Sequence, residues 1–491
     1  MPRTVNIAVV GAGTMAQAVH LPVLRRRWDR FAVTALVDHS PRRREESSKV
    51  WGVAEQARYE SVADLIAAIR AKTVEVDGVL LSTDGLHVED LLAIIKRGLP
   101  VLVEPPLGYS AEEVSRITDF ERMLGRRLVM MAYPQQYDEV LGEISEHIRQ
   151  RDVRLLDHEV LMPASQPLFG QAHVTSSAYD LPTEVRKQRR TDLKDAVAVG
   201  TGEGATQRDR DLYTKGLLDG VAHQLAVAER IYGPLTEVTA VRHWPKGVIP
   251  GSIEILGELD GGEPVHLIWH YLPFAPEYVE HLRVLSARRR IDVDLAAPSH
   301  GDEHSRFTLR EKEKSRVVET SRASGTGSAE AMWEAFHAFI DKGTEPYSGA
   351  AEALAHVTLM HDVLARLVED DGRSLEPEPE EPEGSEDSSD GSGESEEASD
   401  QGKTETEGAD APSTETEQTE DPTVESAAAS TTETAASAAQ DETVEEPEGA
   451  EVALEEESRT PPEDDASAGQ EPTAQEPAAQ ESAPGEPRQD D

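Results

Sequence analysis

A β-rich run, VNIAVV at Val5–Val10, feeds directly into the loop Gly11-Ala12-Gly13-Thr14-Met15-Ala16 and then into a helical pattern. Few folds accept a G-x-G-x-x-A loop in that position. The first glycine permits a tight turn, the second lets backbone approach a pyrophosphate, and Ala16 lets the helix pack closely on the sheet. The helix N-terminal amides then face an anion, so Gly11, Gly13, Thr14 and Met15 are candidate residues around a dinucleotide. Asp38 ends the next apolar run, in TALVDHS, 22 residues beyond Ala16. A carboxylate there can hold adenosine ribose hydroxyls and repel a 2′-phosphate, which favours NAD. The run Pro41-Arg42-Arg43-Arg44 keeps NADP open, because an arginine there can meet that phosphate.

The surrounding pattern agrees with such a loop. Apolar runs at 5–10, 31–37, 78–81, 101–103 and 128–132 read as buried strands, with helical stretches between them. One helix should begin at Ser110, where S-A-E-E has capping-box spacing, and another should end on Lys96-Arg97-Gly98. Alternating β and α units predict a doubly wound parallel sheet, a Rossmann domain over residues 1–133. After about residue 150 longer alternating strands follow, at 153–162, 235–243, 251–260, 264–272, 278–285 and 288–295. They predict an α+β domain over 134–373 with a mostly antiparallel sheet. A polar stretch from about 164 to 212 and a helix from about 217 to 232 interrupt it, and helices at 328–341 and 349–368 close it. Those last two are candidates to pack back on the first domain.

The remainder, residues 374–491, has 39 acidic residues against three basic ones and no aromatic, isoleucine or methionine. Too little apolar surface is available there to offset the entropy of ordering a backbone, so an acidic, disordered tail is expected. Of the formal net charge of -47, residues 1–373 carry only -11, from 45 basic and 56 acidic residues. A net negative chain offers no electrostatic footprint for nucleic acid or an anionic membrane. No apolar run approaches membrane-spanning length, and the strand at Val5 leaves no room for a signal region, which predicts a cytoplasmic protein. Cysteine is absent, excluding disulfides and thiolate chemistry. His266 and His270 share a strand face without a third ligand at metal spacing, so no metal is expected.

Three segments resemble the glucose-fructose oxidoreductase, inositol dehydrogenase and MocA (Gfo/Idh/MocA) family: GAGTMAQAVHLPVL, LLSTDGLHVEDLLAIIKRGLPVLVEPPLG and LLDGVAHQLAVAERIYGPLTEV. The resemblance implies a nicotinamide cofactor exchanging hydride with a sugar-like or polyol-like substrate, held between the Rossmann domain and the open sheet. It also implies that Thr83, His87 and Glu104 line the cofactor, with Glu104 matching the glutamate of the family's E-K-P motif. Asp219 and His223 match its D-x-x-x-H, and many relatives pair subunits through the antiparallel sheet. The motif reads Glu104-Pro105-Pro106 here, so the lysine that normally meets the reacting hydroxyl is replaced by a residue that cannot donate a proton. Asp84 stands where a proline is usual, and Thr214-Lys215 where glycines are frequent.

His223 is the candidate acid/base, since imidazole titrates near neutrality, and Asp219 one turn earlier can orient it or bind a hydroxyl. Lys215 is a further catalytic candidate, because Lys215, Asp219 and His223 recur every four residues and would form one stripe on an α-helix. Tyr133, after the last Rossmann strand, faces either the cleft or the core. Two functions stay open: an oxidoreductase acting on a hydroxyl or its ketone, and a dinucleotide-holding sensor whose Pro105 records lost catalysis and whose tail engages an unidentified partner.

Overall fold

The computed structural model describes residues 3–170, 172, 174, 180–301 and 303–376. Most of the expected acidic tail, from residue 377 on, lies outside the described residues. Ser374, Leu375 and Glu376, assigned to that tail by composition, belong to the fold instead: Leu375 is 7% exposed and its carbonyl accepts the Gly204 amide at 2.9 Å.

The first half alternates strand and helix: β1 Val5–Val10, α1 Leu21–Arg26, β2 Phe31–Val37, α2 Pro41–Trp51, β3 Arg58–Tyr59, α3 Val62–Ala71, β4 Gly78–Leu81, α4 Val88–Ile95, β5 Val101–Val103, α5 Ala111–Leu124 and β6 Val129–Met131. The strands form one parallel sheet in the order β3-β2-β1-β4-β5-β6. The order reverses at β1, and ligands of such sheets sit in the crevice at the strand ends beside that switch point. Ser110 caps α5 by accepting the Glu113 amide, while the Glu113 carboxylate accepts the Tyr109 amide.

The second half contains α6 Glu139–His147, β7 Val153–Met162, α7 Ser165–Phe169, α8 Thr183–Thr201, α9 Gln207–Leu212 and α10 Ala222–Tyr232. The strands β8 Leu235–Trp244, β9 Ser252–Leu259, β10 Pro264–Tyr271, β11 Val279–Ser286, β12 Arg289–Leu295, β13 Arg306–Glu313 and β14 Arg316–Ala323 follow, then α11 Ser328–Lys342 and α12 Ala350–Asp370. Eight strands make one sheet, β14-β13-β12-β11-β7-β10-β9-β8, antiparallel except for the β7–β10 pair.

Three sequence expectations need correction. The polar stretch at 164–212 is largely helical, with α8 burying only Leu193, Val197, Gly200 and Thr201 against the rest of the protein. Such a narrow buried face leaves almost no periodic signal. The helix expected from about 217 begins at Tyr213 as a π-helical segment, Tyr213–Val221, before regular α10. The strands β13 and β14 were not anticipated; β14 is a charged, solvent-facing edge, a composition that blunts edge pairing and also hides the strand.

The inner face of the large sheet packs on the 213–232 helix. A Cβ at Gly220 would lie 2.5 Å from the Trp269 ring and one at Gly216 would lie 2.7 Å from Ile253, so these glycines let helix and sheet touch. The outer face is polar, with His266 bonded to both Asp157 and Glu254 at 2.9 Å. The helix α11 lies on the Rossmann sheet, where fully buried Met332, Trp333 and Phe336 join Ile7, Val9, Leu80 and Leu102 in one cluster.

Candidate functional site

The glycine loop, Asp38, the loop after β4 and the Glu104-Pro105-Pro106 segment line one cleft at the ends of the Rossmann strands. Gly11, Gly13, Thr14, Met15, Asp38, Thr83, His87 and Glu104, assigned separately from sequence, all border it. Gly11 has φ +90°, and a Cβ there would fall 2.2 Å from the Ser82 carbonyl oxygen, so glycine is required by both backbone and space. Asp38 is 8% exposed; its carboxylate accepts the Ala12 and Ser40 amides, each at 2.8 Å, which fixes it between the glycine loop and α2.

The cleft fits a dinucleotide on its own chemistry. The Thr83 hydroxyl is buried with no partner in the protein, and neither ring nitrogen of His87 completes a hydrogen bond of good geometry. Buried polar atoms of that kind are rare unless a ligand satisfies them. Burial pushes His87 down to about 4, against the opposing pull of the Pro106 carbonyl and the charges of Glu104 and Asp84. His87 is therefore neutral at physiological pH.

Glu104 is held by a relay that sequence did not suggest. Trp333 Nε1 donates to His20 Nδ1 at 3.1 Å, so the His20 proton sits on Nε2, which donates to the Glu104 carboxylate. His20 and Trp333 are fully buried, whereas Glu104 retains some exposure and borders the cleft.

His223 is not among the residues bordering the cleft, but it is near enough for the Glu104 charge to act on it. Its ring meets the Tyr133 ring edge to face, with centroids 5.0 Å apart, and the Tyr133 hydroxyl is 3.4 Å from His356 Nδ1. Burial lowers the His223 pKa, with the charges of Glu104 and Glu280 pulling up and His356 pulling down. Tyr133 is 3% exposed and so belongs to the packed wall that fixes the His223 ring. Burial, then the nearby charges of Glu229, Glu104 and Asp219, raise its phenol above the ordinary tyrosine range. The Asp219 charge likewise reaches Tyr109, which lines the cleft.

Lys215 has a partner of its own: its ammonium is 3.4 Å from Asp211, four residues earlier in α9.

Further residues were invisible in the sequence because they arrive from distant strands. Glu280 of β11 bonds His158 Nε2 of β7 at 3.0 Å, and accepts the Tyr278 hydroxyl at 2.5 Å and the Gln135 amide at 3.1 Å. The charge of this buried carboxylate acts on His223, opposing the effect of burial on its pKa. Arg189 of α8 donates to the Asp84 carboxylate at 2.7 Å and closes one side of the cleft. Among the described residues no cluster of three or more His, Cys, Asp or Glu could hold a metal, and no helix is long and apolar enough to cross a membrane.

Known proteins resemble this chain over part of its sequence and in its fold. Residues 5–133 match the model of an oxidoreductase family (GFO_IDH_MocA) described by its NAD-binding Rossmann fold. Inositol 2-dehydrogenase of Arthrobacter sp. is 29% identical over 177 residues, 34% of this chain and 49% of that protein. The Streptomyces avermitilis inositol 2-dehydrogenase is 37% identical over 139 residues, 28% of this chain and 38% of that protein. The chain thus spans about half or less of the curated relatives it matches. Among solved structures, an aldose-aldose oxidoreductase from Caulobacter crescentus covers 75% of this chain and 98% of its own, at 15% identity and TM-score 0.55. A variant of the 3-ketoreductase from Actinomadura kijaniata, in complex with TDP-benzene and NADP, covers 73% and 96%, at 16% identity and TM-score 0.51. At such identities the likeness establishes the two-sheet fold.

Proposed function

Given that residues 5–133 match the model of the GFO_IDH_MocA oxidoreductase family, we propose that the whole protein is an NAD(P)-dependent oxidoreductase of that kind. Its substrate in this reading is a sugar-like or polyol-like hydroxyl, or the matching ketone. One observation carries the proposal: the phosphate-cradling loop, Asp38 and Glu104 line a single cleft, and the Glu104 charge reaches a partly buried histidine, His223.

In this reading the amides of Gly11, Gly13, Thr14 and Met15 hold the pyrophosphate, Asp38 holds the adenosine ribose, and Thr83, His87 and Glu104 border the nicotinamide half. Bound there, the nicotinamide supplies the hydride acceptor or donor. The chain supplies placement and proton transfer. Pro105 cannot take the proton that leaves a hydroxyl as it is oxidised, so the proton passes to an imidazole nitrogen of His223. Burial favours the uncharged, proton-accepting form of that ring, and the carboxylates of Glu104 and Glu280 stabilise the imidazolium that results. Tyr133 holds the ring plane, and Asp219 binds or orients the hydroxyl.

The specific observation favouring a second reading, a dinucleotide-holding sensor, is Pro105 itself. Dinucleotide released from the purified full chain would be identified, and nicotinamide absorbance followed against a panel of inositols, aldoses and their keto forms. Turnover with any of them supports the enzyme. Tight NADH binding without turnover, restored by Pro105→Lys, supports the sensor.

A further inference from the structure

The N-terminus of α2 is an anion site already filled by the protein's own chain. Ser40 caps this eleven-residue helix, its hydroxyl oxygen accepting the Arg43 amide at 3.0 Å. That hydroxyl in turn donates to Asp180 Oδ1 at 2.7 Å, and the Arg42 amide donates to Asp180 Oδ2 at 2.8 Å. Asp180 belongs to the segment leading into α8, about 140 residues away in sequence. Its carboxylate sits where helix amides and dipole favour negative charge. Burial alone would raise its pKa, but the Arg42 amide, the Ser40 hydroxyl and the Arg42 charge together bring it below the usual aspartate value.

The position of this filled site matters because Asp38 shares Ser40 with it. The Ser40 amide donates to Asp38 Oδ1 while the Ser40 hydroxyl donates to Asp180. A ribose held by Asp38 therefore presents its 2′-oxygen to the same helix end. A 2′-phosphate there would bring close to two negative charges against two carboxylates, and would find the Ser40 hydroxyl and the Arg42 amide already taken. Two of the three arginines that suggested NADP are engaged as well: Arg42 Nε pairs with Glu46 at 3.1 Å and Arg44 turns back onto the Asp38 carbonyl, while Arg43 is buried at the border of the cleft.

Resting on the dinucleotide reading above, we propose that Asp180 is a specificity-determining residue: it occupies the 2′-phosphate position at the start of α2 and sets the site against NADP(H). Nine residues further on, Arg189 of α8 pairs with Asp84 at the cleft, which ties the following helix to it, and the Ser40 and Arg42 donors hold the carboxylate itself. Selection here acts through an added repulsive group rather than through better contacts to NAD(H).

The test is a fluorescence titration of the full chain with NADH and with NADPH, at low and high salt, for the natural protein and for Asp180→Ala and Asp180→Asn. The natural protein is expected to bind NADH more tightly. Asp180→Ala should tighten NADPH at least about tenfold while moving NADH less than about threefold, since it frees both donors and removes one charge. Asp180→Asn, which keeps the shape and removes the charge, should give a smaller shift in the same direction. Added salt should narrow the preference of the natural protein and leave that of Asp180→Ala nearly flat. An unmoved NADPH/NADH ratio in both variants, with NADH still bound, overturns the role of Asp180 alone. A natural protein that prefers NADPH also overturns it. Failure of the natural protein to bind either dinucleotide overturns the underlying reading, and this inference with it.

Discussion

Replacing Gly200 by alanine sets two effects of opposite sign against each other. Gly200 lies in the last turn of α8, and by helix propensity alone Gly→Ala should stabilise by about 1 kcal/mol. The added methyl would, however, lie 1.9 Å from the Tyr109 carbonyl oxygen and 2.8 Å from its carbon. An ordinary C···O approach is about 3.3–3.6 Å, so α8 or the Tyr109 backbone must give way by more than an ångström. The carbonyl is not free to retreat, because it accepts the Tyr213 hydroxyl at 3.0 Å. Overpacking of this kind costs about 1–3 kcal/mol, and with backbone on one side the upper part of that range applies. The expected net effect is a loss of about 1–2 kcal/mol, read as a lower urea midpoint of the full chain at unchanged slope. Gly142 is the internal comparison: it lies inside α6, and its added Cβ would meet only the Arg230 guanidinium at an ordinary 3.4 Å. Gly142→Ala should therefore raise the midpoint. If Gly200→Ala also raises it, the close packing of α8 on the loop after β5 is refuted.

Once a substrate is in hand, His223→Ala should lower turnover by about 10²- to 10⁴-fold with NADH affinity held; unchanged turnover would exclude His223 as the proton acceptor. Because burial depresses its pKa, alcohol oxidation should rise with pH through a midpoint below 6.5. His87 has its folded pKa lowered from 6.5 to about 4, so between those values the unfolded chain binds the extra proton and stability falls as pH falls. That window is worth about 3 kcal/mol, and His87→Gln should flatten the acid limb of a denaturation series from pH 7 to pH 4. Trp333→Phe leaves His20 Nδ1 without its donor and should cost about 1–3 kcal/mol in the same assay. Truncation after Glu376 should leave the melting temperature unchanged, whereas truncation after Arg373 removes buried Leu375 and should cost about 1.5–3 kcal/mol.

The dinucleotide loop, the five strands read from 5–10 to 128–132 and the residues bordering the nucleotide cleft were legible because each depends on neighbours in sequence. Gly11 needs a strand before it and a helix after it, and Asp38 needs only to end the following strand. Apolar runs of period two and helical stripes likewise announce buried elements wherever burial is extensive. That signal fails for α8, which buries four residues along its length, and for β14, a charged edge. It fails again where a site is assembled across the chain: His20 meets Glu104 84 positions away and Trp333 313 positions away, and Ser40 meets Asp180 140 positions away. Spacing alone suggested that Lys215 would join Asp219 and His223, but it could not show that the Lys215 ammonium pairs with Asp211. Local sequence thus determined which elements form and where a dinucleotide would lie. Only the tertiary structure decided which side chains surround it, because the contacts that hold Glu104, Asp180 and His223 are between residues whose neighbours in sequence carry no trace of one another.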